Sequence, residues 1–216
     1  MRTDGLIKVR GFTMIDRTFR HRPAPILLAG MLAAFLLSAC QTARPTEEMT
    51  VVPEADQPLI FTAPGLENAT RRFRTGDPYG RNHEVVFATY APARGNLPHA
   101  SIIYIGARGG MHFTNKKSVM KDMSEGWNYH ATRTLTEISG GRAVNELGAA
   151  EYSVFTSDDA SCVGFLQFFG DAQDDGYGTD QITGYYCAPE GVTLTDADAR
   201  SILKRLGHRT KGMPQG

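Results

Sequence analysis

The chain has 216 residues, of which 41% are hydrophobic, and 23 Lys and Arg residues are balanced by 23 Asp and Glu residues. This length suits one domain of ordinary size with a real hydrophobic core, and it leaves little room for a second domain. Because the net charge is zero and no basic patch is interleaved with aromatic residues, nucleic acid is excluded as an expected partner.

A short apolar segment after a basic N-terminal stretch predicts a secretion signal. The apolar run covers residues 26–37. It is too short for a helix that crosses about 30 Å of hydrocarbon, but it has the length of a signal-peptide core. Met14 is an alternative start to Met1 and would leave Arg17, Arg20 and Arg22 as the basic region. No Arg-Arg pair precedes the apolar run, which favours the general secretion route.

The predicted signal ends in Leu37-Ser38-Ala39-Cys40, that is, a branched apolar residue, two small residues and a cysteine. This pattern resembles the lipobox of bacterial lipoproteins. The resemblance implies that residues 1–39 are removed, that the Cys40 thiol receives a diacylglycerol, and that the new amino terminus is also acylated. Several acyl chains, such as palmitate, anchor a protein stably to a membrane. The alternative is an ordinary cysteine in a cleaved signal or in an N-terminal membrane helix.

The residue after Cys40 bears on the membrane to which the protein is sorted. An Asp at this position is associated in enterobacteria with retention at the inner membrane, whereas this chain has Gln41. We therefore expect an outer-membrane lipoprotein that faces the periplasm.

Composition divides the remaining chain into a tether, a fold and a tail. Residues 40–58 are rich in proline and acidic residues and are predicted to form the lipidated N-terminus and a flexible tether. The fold is predicted at residues 59–210 and a disordered tail at 211–216, while 65–80 is polar and turn-rich. Runs of β-branched and aromatic residues predict strands at 59–62, 84–90, 100–106, 132–138 and 151–156.

The two cysteines that follow Cys40 are predicted to form a disulfide. Cys162 begins one β-rich run, 162–169, and Cys187 ends another, 180–187. A hairpin centred on Asp174 and Asp175 would place the two cysteines opposite each other, close to the separation that a disulfide requires. Disulfides persist in exported proteins. The alternative, a reactive thiol, lacks a Cys-x-x-Cys pair or an activating base.

Two helices complete the predicted fold. Thr114 or Asn115 is expected to cap a first helix, with Met120, Met123 and Trp127 on one side. Thr195 is expected to cap the second helix, with Asp196 and Asp198 in its first turn and Gly207 at its C-terminal end. Its apolar side is predicted to hold Ala199, Ile202, Leu203 and Leu206. The order of elements predicts an α+β fold in which about two helices pack on an antiparallel sheet, a pattern loosely similar to that of Mog1/PsbP-like domains.

Candidate sites each have a simpler structural interpretation. The acidic loop 171–182 resembles a calcium loop at Asp171, Gln173, Asp175 and Gly176, but Ile182 stands where the bidentate Glu is needed, and a hairpin tip explains the same residues. The glycine-rich stretch 106–110 suits a phosphate cradle or a tight turn.

The histidines show no zinc-ligand spacing. They are His83, His99, His112, His130 and His208. His99 and His112 are the pair that the predicted fold could bring together, in a polar pocket that includes Arg108. We identify no catalytic, cofactor-binding or metal-binding residue from the sequence.

Aromatic residues of the predicted hairpin should divide between its two faces. Alternation places Phe165, Phe169 and Tyr186 on one face and Phe168 and Tyr185 on the other. A second face without a helix over it would form an aromatic patch suited to a partner protein or glycan.

The sequence therefore predicts a membrane-anchored envelope lipoprotein that binds or scaffolds another envelope component without catalysis. The alternative is a lipid-anchored periplasmic hydrolase with a site of dispersed residues. A deep pocket with convergent polar groups would favour the enzyme, and a shallow apolar surface would favour the binding module.

Overall fold

An antiparallel sheet of eight strands dominates the part of the chain that the structure describes. The structure is a computed structural model and describes residues 47–78, 83–92, 95, 97–107, 113–114, 117–170 and 177–209. Cys40, the predicted signal and residues 171–176 of the acidic loop lie outside these ranges. The elements are β1 Glu47–Val52, β2 Leu59–Ile60, β3 Thr70–Asp77, β4 His83–Ala91, β5 His99–Ala107, β6 Phe113–Thr114, α1 Val119–Gly126, β7 Leu135–Asn145, β8 Gly148–Ser157, β9 Ala160–Phe169, β10 Tyr177–Gly178, β11 Asp180–Cys187, α2 Asp196–Leu203 and β12 Gly207–His208.

The strand order is β1-β3-β4-β5-β11-β9-β8-β7, with every neighbouring pair antiparallel. After β5 the chain passes through α1 to the far edge at β7 and returns strand by strand to the centre. The pairing of β11 with β5 joins the two halves. The fold is α+β and dominated by its sheet, so the predicted fold class of an antiparallel sheet with two helices is confirmed.

The first face of the sheet packs against α2. Its buried residues include Ile102, Tyr152, Phe165 and Tyr186 from the strands and Ala199, Ile202, Leu203 and Leu206 from α2 and the turn after it. Full burial of one such apolar side chain contributes about 1.5–3 kcal/mol. The predicted apolar side of the second helix is therefore confirmed.

The second face packs against α1. The contact is formed by Val119, Met123 and Trp127, which pack against Tyr185 and Leu166 of the sheet. Met120 is partly buried beside them. Gly164 permits this close approach, because a Cβ there would lie 2.8 Å from the Met123 side chain. The two helices thus lie on opposite faces. The predicted alternation is confirmed, since Phe165, Phe169 and Tyr186 belong to the first core and Tyr185 and Phe168 to the second.

The predicted disulfide between Cys162 and Cys187 is confirmed. The register of β9 and β11 places the two residues directly opposite each other, with their Cα atoms 4.1 Å apart. Such directly opposed pairs have the short Cβ separation that a disulfide needs. Both cysteines are fully buried on the face covered by α1.

Both helices have serine or threonine caps, but two predicted boundaries are wrong. Helix α1 is capped by Ser118, whose Oγ accepts from Lys121 N, because residues 113–114 instead pair with β10. Thr114 and Asn115 are therefore not its cap. Thr195 caps α2 as predicted, in a capping box with Asp198. Gly207 is not at its C-terminal end: α2 ends at Leu203 with Lys204 as its C-terminal cap, and Gly207 begins β12, which pairs with β2.

The described fold begins earlier in the chain than the composition indicates. Strand β1 and a 3₁₀ turn at Glu54–Asp56 lie within the stretch predicted as tether, and β3 lies within the stretch predicted as turns. Strand β1 is an edge strand in which Val51 remains exposed. In β3, Phe73 is the one buried aromatic residue between two arginines. Strands that bury so little lack the alternation by which sequence reveals a strand.

Candidate functional site

A groove beside α2 is a concavity that the described residues line. Its cavity volume is about 240 Å³. This lies below the roughly 300–1,000 Å³ typical of small-molecule pockets. Its lining is Pro64, Tyr186, Pro189, Val192, Thr193, Leu194, Asp198, Ser201, Ile202 and Arg205. The size suits one apolar side chain better than a cofactor.

Hydrogen bonds fix the walls of this α2 groove. The Tyr186 phenol donates to the Pro64 carbonyl at 2.6 Å, and Leu194 N donates to Ser161 Oγ at 2.9 Å. Burial raises the pKa of Tyr186 to about 12, so the phenol keeps its proton and remains a donor. A turn closed by Val192 N and the Pro189 carbonyl forms the outer wall. The groove is therefore pre-formed, which lowers the entropic cost of binding.

Opposite charges lie at the rim of the groove. Hydrogen bonds from Thr195 lower the pKa of the Asp198 carboxyl, which stays ionised at neutral pH. Arg205 lies at the same rim, and Ser201 is shared with a second, more open concavity that includes Arg200 and Lys204. The floor is apolar and the rim is polar, which is the usual composition of a protein-binding patch. No histidine or cysteine lines the groove.

An aromatic cluster lies beneath the turn that follows α1, and we call it the Tyr185 cluster. The centroid of the Tyr185 ring lies 5.0 Å from that of Trp127, 5.3 Å from that of His99 and 4.3 Å from that of His130. The Tyr129 ring stacks on the Tyr185 ring with their centroids 5.6 Å apart. Burial raises the pKa of Tyr185 to about 12. Rings in this range of separation attract one another beyond their apolar burial.

The Tyr185 cluster contains a serine–histidine pair, which is relevant to the hydrolase alternative. His130 Nδ1 lies 2.9 Å from Ser157 Oγ. Both residues are only 1% exposed, so a substrate has no access to the hydroxyl. Burial, followed by the charges of His99 and Arg133, lowers the pKa of His130 to about 4, which makes it a weak base at neutral pH. The pair is better suited to holding the turn than to activating a nucleophile.

A buried carboxylate, Asp180, lies where β5 ends and the antiparallel β11 begins. It accepts hydrogen bonds from the Tyr104 phenol at 2.7 Å and from Thr179 Oγ1 at 2.9 Å, and the His208 ring packs on Tyr104. Gly106, the first residue of the predicted phosphate-cradle motif, belongs to β5. A Cβ at Gly106 would collide with the Tyr104 hydroxyl. This glycine therefore makes room for the buried hydrogen bond.

Some of the predicted site residues lie outside the described ranges, and the structure shows the positions of the others. Cys40, Arg108, His112 and residues 171–176 lie outside, so the predicted lipidation, the calcium loop and the pocket with His99 are not described. His99 and His130 meet in the Tyr185 cluster, whereas His208 lies with Tyr104. Within the described residues, no group of three or more His, Cys, Asp or Glu side chains is placed to hold a metal ion.

Comparison with protein-family models, with curated proteins and with solved structures found no match to this chain. In the described part of the chain, none of the helices has the length and apolar character needed to cross a membrane.

Proposed function

We propose that this chain is a bacterial envelope lipoprotein whose domain binds another envelope protein through the α2 groove, without catalysing a reaction. The anchor is the lipid on Cys40. The observation that carries the proposal is the buried Cys162–Cys187 disulfide, because it pairs the two cysteines that lipidation of Cys40 leaves over. Disulfides of this kind persist in exported proteins and are rare in the cytosol.

Export also agrees with the sequence before Cys40, where a basic region, an apolar core and the lipobox pattern stand in the expected order. With Gln41 after the cysteine, the proposed location is the periplasmic face of the outer membrane. The likeness to Mog1/PsbP-like domains is part of the same proposal and carries no function.

The binding role is supported by the form of the α2 groove. A narrow apolar floor formed by Tyr186 and Ile202, with Asp198 and Arg205 at the rim, suits an apolar anchor side chain on a protein segment. A glycan would need more polar groups on the floor. The one nucleophile–base pair described above, Ser157 with His130, is buried away from solvent.

The anchor is tested by the intact mass of the protein from the membrane fraction, before and after reduction and alkylation. We expect wild type to lack residues 1–39, to carry acyl mass, and to alkylate at Cys162 and Cys187 only after reduction. The Cys40→Ala variant should carry no acyl mass. An unmodified Cys40 in wild type would overturn the anchor.

The binding surface is tested by placing a photo-reactive amino acid at Val192, which is 46% exposed on the groove rim. Val144, which is 68% exposed, is a matched control on the opposite face of the sheet. Its neighbour Ala143 packs in the core on the α2 side, and successive residues of a strand point to opposite faces. Irradiation of cells should give one adduct of defined mass from position 192 and none from position 144. No adduct from 192, or the same adduct from both positions, would contradict the proposal.

A further inference from the structure

The turn that follows α1, residues 127–134, joins the sheet mainly through aromatic rings. Within the turn, His130 N and Ala131 N both donate to the Trp127 carbonyl. Toward the sheet, Trp127 packs on Phe87 at 6.3 Å, and Tyr129 packs on His99 at 4.2 Å. At its end, Thr134 exchanges hydrogen bonds with Asp158. We call residues 127–134 the latch turn.

His130 is the most deeply buried polar residue of the latch turn. It is 1% exposed, and its Nε2 has no hydrogen-bond partner among the described residues. Its Nδ1 bonds with Ser157 of β8. The charged and titratable groups around it are His99 from β5, Tyr185 from β11, Tyr129 and Arg133 from its own turn, and Asp158 from the turn after β8.

These surroundings tolerate a neutral imidazole and oppose a charged one. Asp158 is the carboxylate in this group, and it lies 3.4 Å from the Arg133 guanidinium, with which it pairs. Arg133 in turn lies 3.9 Å above the Tyr129 ring. A proton on His130 would therefore place a buried cation next to the partly exposed Arg133, with no acceptor for its Nε2–H among the described residues.

We propose that His130 is an acid-sensitive latch, whose protonation releases the latch turn from the sheet and uncovers the aromatic face around Tyr185 while the sheet remains folded. The inference does not depend on the proposed binding function.

Release is favoured because it returns the imidazolium to water. The released histidine has its ordinary pKa of 6.5, whereas the packed histidine has a pKa of about 4. Between these pH values the released histidine is mostly protonated and the packed histidine is mostly neutral. Acid therefore favours release increasingly as the pH falls from about 6.5 to 4, and we expect the latch to open within this range. The Cys162–Cys187 disulfide joins β9 to β11 beneath the turn, and the core on the other face contains no part of it. Opening thus leaves the sheet intact and exposes Phe87 and Tyr185.

Trp127 provides the test, because it is the single tryptophan of the chain and lies in the latch turn. The full chain, purified in detergent, is titrated from pH 7.5 to 4 while Trp emission, acrylamide quenching and far-ultraviolet circular dichroism are recorded. We expect emission to shift to longer wavelength and quenching to rise within this range, with circular dichroism unchanged. A loss of circular dichroism in the same transition would mean global unfolding and would overturn the proposal.

The assignment to His130 is tested by His130→Asn, whose amide can replace the Nδ1 hydrogen bond but does not titrate. The transition should disappear in this variant and persist in His83→Asn, a matched change outside the cluster. Persistence in His130→Asn would refute the assignment. If that variant does not fold, an NMR titration of the wild-type histidine rings replaces it. The midpoint for His130 must then coincide with that of the Trp127 change, and a mismatch counts against the latch.

Discussion

Removing the Cys162–Cys187 disulfide should lower the free energy of unfolding by about 3.5 kcal/mol at 25 °C. The two cysteines are 25 residues apart. In the chain-entropy relation, releasing a loop of this length gives the unfolded chain about that much additional freedom. Stabilities of single domains are about 5–15 kcal/mol, so the change is a large fraction of the total.

The assay is urea unfolding of three forms of the full chain: oxidised wild type, reduced wild type, and the Cys162→Ala/Cys187→Ala variant. With an m-value of about 2 kcal/mol per M urea, the midpoint should fall by about 1.8 M on reduction. The reduced form keeps both buried sulfur atoms, so its difference from the double variant isolates the packing of those atoms. A loss on reduction below about 1 kcal/mol would refute the entropic reasoning.

Three further predictions concern buried or capping side chains. Tyr104→Phe removes a donor from the buried Asp180 carboxylate and should lower the free energy of unfolding by about 1–3 kcal/mol, measured by urea unfolding. Thr195→Ala removes the cap of α2 and should lower the free energy of unfolding by about 1 kcal/mol, seen as a lower melting temperature. Thr195→Ser keeps a capping hydroxyl and should retain most of that stability. His130 has a pKa of about 4 when folded, below its ordinary 6.5. While the latch turn is packed, the unfolded chain therefore binds the extra proton as pH falls, so unfolding free energies should drop below pH 6.5, by at most about 3 kcal/mol at pH 4, and the drop should stop at the pH where the proposed latch opens.

Residues that alternate along well-buried strands made much of the sheet predictable. Cys162 and Cys187 mark the ends of two such runs, and the turn-rich residues between them specify a hairpin, so the register followed from the sequence. The same alternation assigned Tyr185 and Tyr186 to opposite faces. The cap at Thr195 was predictable because capping depends on residues only three positions apart.

Strands and sites that depend on distant partners were not predictable. Strand β3 buries Phe73 and little else, and it becomes a strand because β1 and β4 pair with it on either side. The meeting of His99 with His130 depends on the route of the chain from β5 across α1, which no spacing in the sequence records. The α2 groove likewise joins Pro64 to residues more than a hundred positions away.

The two faces of the sheet are held by different kinds of interaction. On the α2 face, Asp196 accepts from the Tyr152 phenol at 2.7 Å and pairs with Arg200, which also donates to that phenol at 3.0 Å. These bonds keep their strength across the pH range in which a histidine titrates, because the pKa of Asp196 is lowered by the Tyr152 hydrogen bond. On the α1 face, stacked rings surround the neutral His130. The proposed binding at the α2 groove should therefore be insensitive to mild acid, while the proposed latch on the opposite face should respond to it.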